Sequence, residues 1–137
     1  MKKFIISIDA GTTSNRSILF DLNGKPVFSS QKEFTQYFPK SGWVEHDPNE
    51  IWRTTLKTLK DVLKKARSLR GEVLTIGITN QRETTVLWDK KTGKPVYRAI
   101  VWQDRRQEEY CKKLRKQNKD TMIFNKTGLL IDSYFSG

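Results

Sequence analysis

A single amphipathic helix set between short apolar runs is the feature of this sequence that most restricts its fold. The stretch "HDPNEIW" predicts the start of the helix, with Asp47 as the capping residue, Pro48 in the first turn and Glu50 completing a capping-box-like pattern. The apolar residues of the helix fall on one side, with lysines opposite: Ile51, Trp52, Leu56, Leu59, Val62, Leu63 and Ala66. Gly71 is a natural stop. Such a helix has to bury its apolar side against another element.

Apolar runs on both sides of this helix predict the strands on which it packs. Before the helix, "FIISI" and "SILFD" are typical of strands, Asn23-Gly24 of a hairpin turn, and Pro26 restricts the following strand to partial pairing. After the helix, "VLTIGIT" predicts a short buried strand, "TTVLW" its hairpin neighbour and "AIVW" another strand. A charged amphipathic helix is expected from about Arg105 to Gln117. This order predicts a mixed α/β architecture, and 137 residues suffice for one compact domain.

The charge of the chain raises the question of nucleic-acid binding without favouring it. The formal net charge is +11. Two stretches that look helical carry most of the basic residues: Lys57, Lys60, Lys64, Lys65, Arg67 and Arg70 in one, and Lys112, Lys113, Arg115, Lys116 and Lys119 in the other. Acidic residues are interspersed in both stretches and aromatic residues are not interleaved, so solvated helix faces are favoured over a phosphate-backbone footprint. Compensating acidic residues on a missing part of the protein are a third interpretation.

The remaining composition indicates a soluble protein of a reducing compartment. No run approaches the ~18 apolar residues of a membrane-spanning helix. The start, "MKKFIISIDAG", is too short and too polar downstream for a signal peptide. Cys111 is the single cysteine, has no metal-type Cys or His partner nearby and excludes an intramolecular disulfide. We expect a cytoplasmic protein that binds neither a membrane nor nucleic acid.

The loop "IDAGTTSNRS" between the first two strands contains the parts of a phosphate site. Gly11 lets the backbone turn tightly, and successive N–H groups in such a turn form an anion-binding nest. The loop side chains that could hold phosphate are three hydroxyls and a guanidinium: Thr12, Thr13, Ser14 and Arg16. Asp9, at the end of the strand, could hold a hydrated Mg²⁺. A polar hairpin turn with a capping Asp explains the same residues, so both interpretations stay open here.

Arg82 and Glu83 in "GITNQRETTVLW" are adjacent opposite charges that are badly placed to pair with each other. A neutral polyol would satisfy both, because each hydroxyl can donate to the carboxylate and accept from the guanidinium. Trp102 could form one wall of such a pocket and Tyr134 could donate to the substrate. The alternatives are separate ion pairs for the two charges, a core position for Trp102 and an ordinary half-buried Tyr134.

Taken together, five motifs resemble the FGGY family of carbohydrate kinases, which has the actin-like, ribonuclease-H-like ATPase fold. In order along the whole chain they are "IDAGTTSNR", "GWVEHDP", "GITNQRETT", "IVWQDRR" and "TGLLIDSYFSG". The stretches "NQRETT" and "WVEHDP" together are specific to the members that act on glycerol. The resemblance implies that residues 1–137 are the N-terminal part of the first of two lobes, apparently truncated, with the second lobe absent from this chain.

The resemblance also implies an activity, the phosphorylation of glycerol by ATP and Mg²⁺ to sn-glycerol 3-phosphate, in a protein that is a homo-oligomer at full length. By position, the nucleotide phosphates would contact Thr12, Thr13, Ser14 and Arg16, with Asp9 near the Mg²⁺. Glycerol would be held by Arg82, Glu83 and Tyr134, with Trp102 lining its pocket. The family often has Gln at the position of Ala10 and Pro at that of Ser133, and neither residue has an assigned role.

No catalytic residue is expected within the chain itself. Phosphoryl transfer is mostly positioning and charge neutralisation, with a carboxylate base to take the proton of the attacking hydroxyl. In the family that Asp lies well beyond residue 137, so we expect this chain alone to be inactive.

Three other functions remain as alternatives. A kinase for another sugar, such as xylulose or gluconate, has the same fold, although "NQRETT" argues against it. An ATP-binding chaperone or filament module would have the phosphate loop without needing an Arg-Glu pair. A basic nucleic-acid-binding domain would bind duplex DNA with a steep dependence on salt.

Overall fold

The computed structural model describes residues 1–135, which form two compact units, whereas length alone predicted one. Unit 1 comprises residues 1–35 and 47–81, and unit 2 comprises residues 36–46 and the chain from residue 82 onward. In chain order the elements are β1 (Lys2–Ala10), β2 (Ser14–Asp21), β3 (Pro26–Glu33), β4 (Glu45–His46), α1 (Pro48–Ser68), β5 (Gly71–Thr79), β6 (Ala99–Ile100), α2 (Glu108–Lys116) and α3 (Asp120–Thr127). Within the described residues, no helix is both long and apolar enough to cross a membrane.

Unit 1 is a four-stranded sheet in the order β3-β2-β1-β5, with α1 packed against it. The strands β1, β2 and β3 are antiparallel neighbours, and β5 runs parallel to β1. The predicted hairpin turn is present: Gly24 has a φ of 77°, and the Asp21 carboxylate accepts hydrogen bonds from the backbone N–H groups of Asn23 and Lys25 at 2.9 and 3.0 Å. The mixed α/β prediction is confirmed, and β3, which begins at Pro26, pairs with β2 alone.

One face of the sheet and one side of α1 form the core of unit 1. The buried cluster comprises Phe4, Ile6, Ile8, Leu19, Val62 and Ala66. Polar residues of β2 bond to the helix at the edge of this cluster. The Asn15 amide donates to the backbone oxygen of Ile51 at 2.9 Å, and the hydroxyls of Ser17 and Thr58 lie 2.9 Å apart. These bonds pair the Asn15 Nδ2 and the two buried hydroxyls, and they fix the position of α1 along β2.

The predicted start of α1 is confirmed, but the capping box is not formed. Asp47 is the N-cap, and its carboxylate accepts from the backbone N–H of Asn49 at 2.9 Å. The Glu50 carboxylate accepts instead from the Thr35 hydroxyl at 3.2 Å, so it does not reach back to the cap. The helix ends at Ser68, before Gly71, which is the first residue of β5.

The strand β5 is present as predicted, but its predicted burial is wrong. It lies at the end of the sheet, and most of its side chains are exposed, with Ile78 at 73%. An apolar run alone does not distinguish a central strand from an edge strand, because the same sequence pattern occurs in both.

Unit 2 contains the short antiparallel pair β4–β6 and the helices α2 and α3. The predicted strand "TTVLW" is wrong: Thr85 forms an isolated bridge with Ile100, and Trp88 forms one with Pro95. Leu87 and Trp88 are both exposed, so the stretch "TTVLW" has no buried face that would stabilise longer strand pairing. The helix expected from about Arg105 to Gln117 is α2, Glu108–Lys116.

Candidate functional site

The loop between β1 and β2 is a two-residue hairpin with Thr12 and Thr13 at its tip. Ala10 pairs with Asn15 across the strands, and the Gly11 N–H donates to the Ser14 backbone oxygen at 3.0 Å. A Cβ on Gly11 would lie 2.9 Å from that oxygen, so a side chain here would push the loop open. The fold therefore brings the three hydroxyl residues predicted to contact phosphate together at one tight turn of unit 1.

The hydroxyls of this loop differ in how they are held. Thr13 is exposed, and its backbone oxygen accepts from the Phe34 N–H at 3.3 Å. Thr12 is half-buried. The Ser14 hydroxyl oxygen accepts from the Gln31 amide at 2.8 Å, which fixes its position and leaves its own hydrogen able to be donated. Ser14 is thus held in place with a hydrogen still available to a ligand.

Asp9 and Arg16 are cross-strand neighbours directly beside this loop. They are register partners in β1 and β2, and the Arg16 guanidinium donates to the Asp9 carboxylate at 3.2 Å. Both side chains are half-exposed, at 44% for Asp9 and 47% for Arg16, so each can exchange its partner for a ligand. The predicted phosphate and metal residues therefore bond to each other in this structure.

The donor chemistry at Asp9 fits a hydrated magnesium ion. Within residues 1–135, no three His, Cys, Asp or Glu side chains cluster as a metal site. Mg²⁺ usually keeps several waters and takes one or two carboxylates together with phosphate oxygens, so a single accessible carboxylate is sufficient.

Arg82 and Glu83 lie on a turn of unit 2, and Glu83 has an unusual backbone conformation. Its φ is 63°, in the left-handed region that non-glycine residues rarely adopt. Arg82 is exposed and forms no salt bridge with any residue that the structure describes. As expected from the sequence, the two neighbours form no salt bridge with each other, and both lie within the turn.

The other two predicted glycerol residues, Trp102 and Tyr134, are in direct contact. Their ring centroids are 5.4 Å apart at an interplanar angle of 62°, an edge-to-face arrangement. Trp102 lies in a turn closed by the Asp104 N–H donating to the Val101 backbone oxygen at 2.8 Å. Tyr134 also contacts Phe135 edge-on, at 5.1 Å. Both rings are half-buried, so unit 2 brings these two residues together at its surface.

A cavity of about 300 Å³ lies in unit 2 next to Glu83. Most of its lining is apolar, including Cys111, Leu114 and Ile131. Of the four residues predicted to hold glycerol, Glu83 contributes to this lining. Burial raises the pKa of the Cys111 thiol, which keeps it in the less reactive protonated form.

Sequence reasoning missed a buried charge network in unit 2. The Arg106 guanidinium bonds to Glu45 at 2.7 Å and to Asp104 at 2.8 Å, and it stacks on the Trp43 ring at 3.7 Å. Burial would raise the pKa of Asp104, but hydrogen bonds from the side chain and backbone of Arg106 and from the Val44 N–H hold it below its usual value. The motifs "WVEHDP" and "QDRR" contain these charges, but the pairing depends on β4 and β6 lying side by side, which the short runs do not reveal.

Comparison with known proteins gives one family over nearly the whole chain. Residues 4–137 match the model of the FGGY family of carbohydrate kinases, N-terminal domain. The chain is 62% identical over 136 residues to the glycerol kinase of Malacoplasma penetrans, which covers 99% of this chain and 27% of that protein. The chain thus spans about a quarter of the length of the curated relatives it matches.

Solved structures confirm the predicted fold. The crystal structure of Plasmodium falciparum glycerol kinase with ADP matches with a TM-score of 0.91 at 38% identity, over 98% of this chain and 27% of that one. The crystal structure of gluconate kinase from Lactobacillus acidophilus matches with a TM-score of 0.89 at 25% identity, over 98% and 26%. The α/β fold expected from the resemblance to actin-like ATPases is the one observed.

Proposed function

Because this chain belongs to the FGGY family of carbohydrate kinases, we propose that it is the N-terminal part of the first lobe of an enzyme that phosphorylates glycerol with ATP. The product is sn-glycerol 3-phosphate. In this proposal unit 1 binds the phosphates of the nucleotide and unit 2 binds the acceptor. The second lobe and the catalytic base belong to the remaining part of the full-length protein, since the chain covers 27% of its relative's length.

The assignment of glycerol as the acceptor depends on one observation, which concerns the adjacent residues Arg82 and Glu83. Arg82 has no salt-bridge partner among the described residues, and Glu83 is held in a left-handed conformation next to it. Such backbone strain costs on the order of 1–3 kcal/mol and is concentrated at functional sites. The exposed Arg82 guanidinium, next to a glutamate with a strained backbone, supports a ligand with adjacent hydroxyl groups that both side chains can bond at the same time.

The nucleotide assignment depends on the loop and on the Asp9–Arg16 pair. In this proposal Arg16 leaves Asp9 to bond the phosphates, while Ser14 and the two threonines donate their hydroxyl hydrogens. Asp9 would then hold Mg²⁺ through waters and phosphate oxygens. When bound, the ion neutralises charge that develops on the transferred phosphoryl group.

The acceptor residues would orient one hydroxyl of glycerol for in-line attack. Glu83 accepts from the hydroxyl groups, and Arg82 and Tyr134 donate to them. Trp102, whose ring contacts that of Tyr134, packs against the carbon atoms and limits the size of the acceptor. An acceptor lacking a hydroxyl would leave one of these polar groups unpaired, at a cost of about 1–3 kcal/mol. A polyol is therefore favoured over a less hydroxylated alcohol.

The sugar-kinase alternative is less favoured by chemistry and by similarity. Gluconate would bring a second carboxylate towards Glu83, where like charges repel. The chain is 62% identical to a glycerol kinase and 25% identical to the gluconate kinase of known structure.

A chimera tests the proposal directly. Residues 1–137 would replace the matching part of Malacoplasma penetrans glycerol kinase, and phosphorylation of glycerol, xylulose and gluconate would be compared. We expect a preference for glycerol, and we expect Glu83→Ala to raise the KM for glycerol at least tenfold with little change in the KM for ATP. Glu109→Ala is the matched control, because its carboxylate is 85% exposed.

Two outcomes of this experiment would contradict the proposal. A chimera that prefers xylulose or gluconate would favour the sugar-kinase alternative. ATP hydrolysis that is indifferent to every polyol would favour a non-enzymatic or chaperone-like ATP-binding module.

A further inference from the structure

We propose that Asp104, Arg105 and Arg106 are positioning residues for the acceptor, because they hold the two turns that carry Trp102 and Tyr134. The three residues lie in the connecting segment, residues 103–107, between Trp102 and the start of α2. None of them was assigned a role from the sequence. The inference depends on the proposed function for the identity of the acceptor, but the arrangement of the two rings can be measured without it.

The turn that carries Trp102 is fixed through Asp104. The Asp104 N–H closes the turn, and its carboxylate is fully buried with hydrogen bonds to both oxygens. One oxygen accepts from the Val44 N–H at 2.7 Å and from Nη2 of Arg106 at 2.8 Å. The other accepts from the backbone N–H and Nε of Arg106 at 2.8 and 2.9 Å. Asp104 therefore ties the Trp102 turn to the residue just before β4.

Arg106 extends this connection to β4 itself. Its Nη2 also donates to the Glu45 carboxylate, which is buried and accepts a second bond from the Tyr97 hydroxyl at 3.0 Å. Because two buried carboxylates share one guanidinium, the geometry at this point is tightly determined. The position of Trp102 relative to the β4–β6 pair thus depends on Arg106.

The turn that carries Tyr134 is fixed through Arg105. Its Nη1 donates to the Asp132 carboxylate at 3.0 Å and to the Ser133 hydroxyl at 2.8 Å. The same carboxylate oxygen accepts from the Tyr134 N–H at 2.7 Å. Gln107 adds a bond from its amide to the Ser133 backbone oxygen at 3.1 Å. Arg105 and Tyr134 therefore share one oxygen of Asp132.

The connecting segment thus determines how the two aromatic rings meet. Trp102 and Tyr134 are 32 positions apart in the sequence, but the residues that hold their turns are neighbours in the chain. Asp104 and Arg106 hold the Trp102 turn, and Arg105 between them holds the Tyr134 turn. A small acceptor such as glycerol makes few contacts, so a shift of either ring by about 1 Å is expected to change its binding substantially. The segment contributes to catalysis by fixing the rings, without touching the substrate.

Arg105 gives the cleaner test of the two arginines. Its side chain is 53% exposed, so its removal is not expected to unfold the protein. Arg106 pairs with two buried carboxylates, and its removal would take from both their nearest positive charge. Arg67 provides a matched control, since it is an exposed arginine on α1.

The kinetic test uses the chimera with Arg105→Ala, Arg105→Lys and Arg67→Ala. We expect Arg105→Ala to raise the KM for glycerol at least tenfold and the KM for ATP less than twofold. Arg105→Lys should recover part of the loss, and Arg67→Ala should have no effect. In addition, Arg105→Ala should cost little in a Tyr134→Ala background, because Arg105 acts through Tyr134.

A spectroscopic test on the 137-residue chain is independent of activity. The Trp102–Tyr134 contact should contribute to the near-UV circular dichroism, and Arg105→Ala should remove about the same signal as Tyr134→Leu. An unchanged spectrum, equal changes in both KM values, or full additivity with Tyr134→Ala would overturn the positioning role. If the wild-type chimera does not use glycerol but the spectral change is seen, the proposed function fails and the structural connection stands.

Discussion

At the scale of single residues, Glu83 shows how much of a site can escape sequence reasoning. The adjacent charges in "NQRETT" are enough to predict that Arg82 and Glu83 do not pair and that a polyol would suit them. The left-handed backbone at Glu83 is not predictable, because glutamate rarely adopts it and nothing in the local sequence demands it. The conformation is imposed by the surrounding unit.

This conformation predicts that glycine is more stabilising than alanine at position 83, the reverse of the order in a helix. Glu83→Gly should be more stable than Glu83→Ala by about 1 kcal/mol, because glycine adopts a positive φ without a steric cost. The free energy of unfolding in urea measures the difference. At Lys112, in the middle of the helix α2, substitution by glycine and by alanine should show the opposite order by about 1 kcal/mol. If alanine were the more stable residue at both positions, the turn at Glu83 would have an ordinary backbone in solution.

At the scale of elements, the sequence predicted correctly those features in which a side chain forms hydrogen bonds with residues close to it in the chain. The Asp47 cap and the Asn23-Gly24 turn were predictable because their hydrogen bonds lie within a few residues. The burial of β5 and the two-residue lengths of β4 and β6 were not, because they depend on which strands are neighbours in space.

Gly71 has a structural role different from the one that the sequence predicted. The sequence indicated a helix stop, yet the helix ends at Ser68, and Gly71 begins β5. A Cβ at Gly71 would lie 2.1 Å from the Phe4 ring, so the residue is needed for close packing of β5 against the core.

Replacement of this glycine should therefore be costly, whereas replacement of a nearby one should not. Gly71→Ala is expected to destabilise the protein by about 1–3 kcal/mol, since Phe4 would have to move in a packed core. Gly77→Ala in the same strand is the control: nothing lies within 4 Å of its Cβ, and the free energy of unfolding should change by less than about 0.5 kcal/mol. Equal effects would mean that Phe4 does not pack on Gly71.

At the scale of the whole molecule, the sequence motifs predicted the family, and some of the residues that they nominate lie next to one another in the structure. Asp9 and Arg16 are cross-strand partners, and Trp102 and Tyr134 are in ring contact. The connecting segment was not predicted, because its importance lies in contacts between residues far apart in the chain, such as Val44 with Asp104. Motif order identifies which residues matter and does not reveal what holds them.

The length of the chain relative to its relatives leads to a prediction about activity. The purified 137-residue chain should not convert glycerol in the presence of ATP and Mg²⁺, because the base that takes the hydroxyl proton is expected in the remaining three quarters of the protein. A coupled assay for ADP release with and without glycerol measures this, and the active chimera is the control. Clear turnover by the chain alone would mean that the base lies within residues 1–137.

The exposed outer strand β5 has a consequence for how the isolated chain behaves in the test tube. The last seven residues of this strand, "VLTIGIT", are uncharged and mostly apolar, and the outer backbone groups of the strand are available to pair with another extended chain. The net charge of +11 opposes this by keeping molecules apart. Raising the ionic strength screens that repulsion, so the colloidal stability of the purified chain should decline as salt is added.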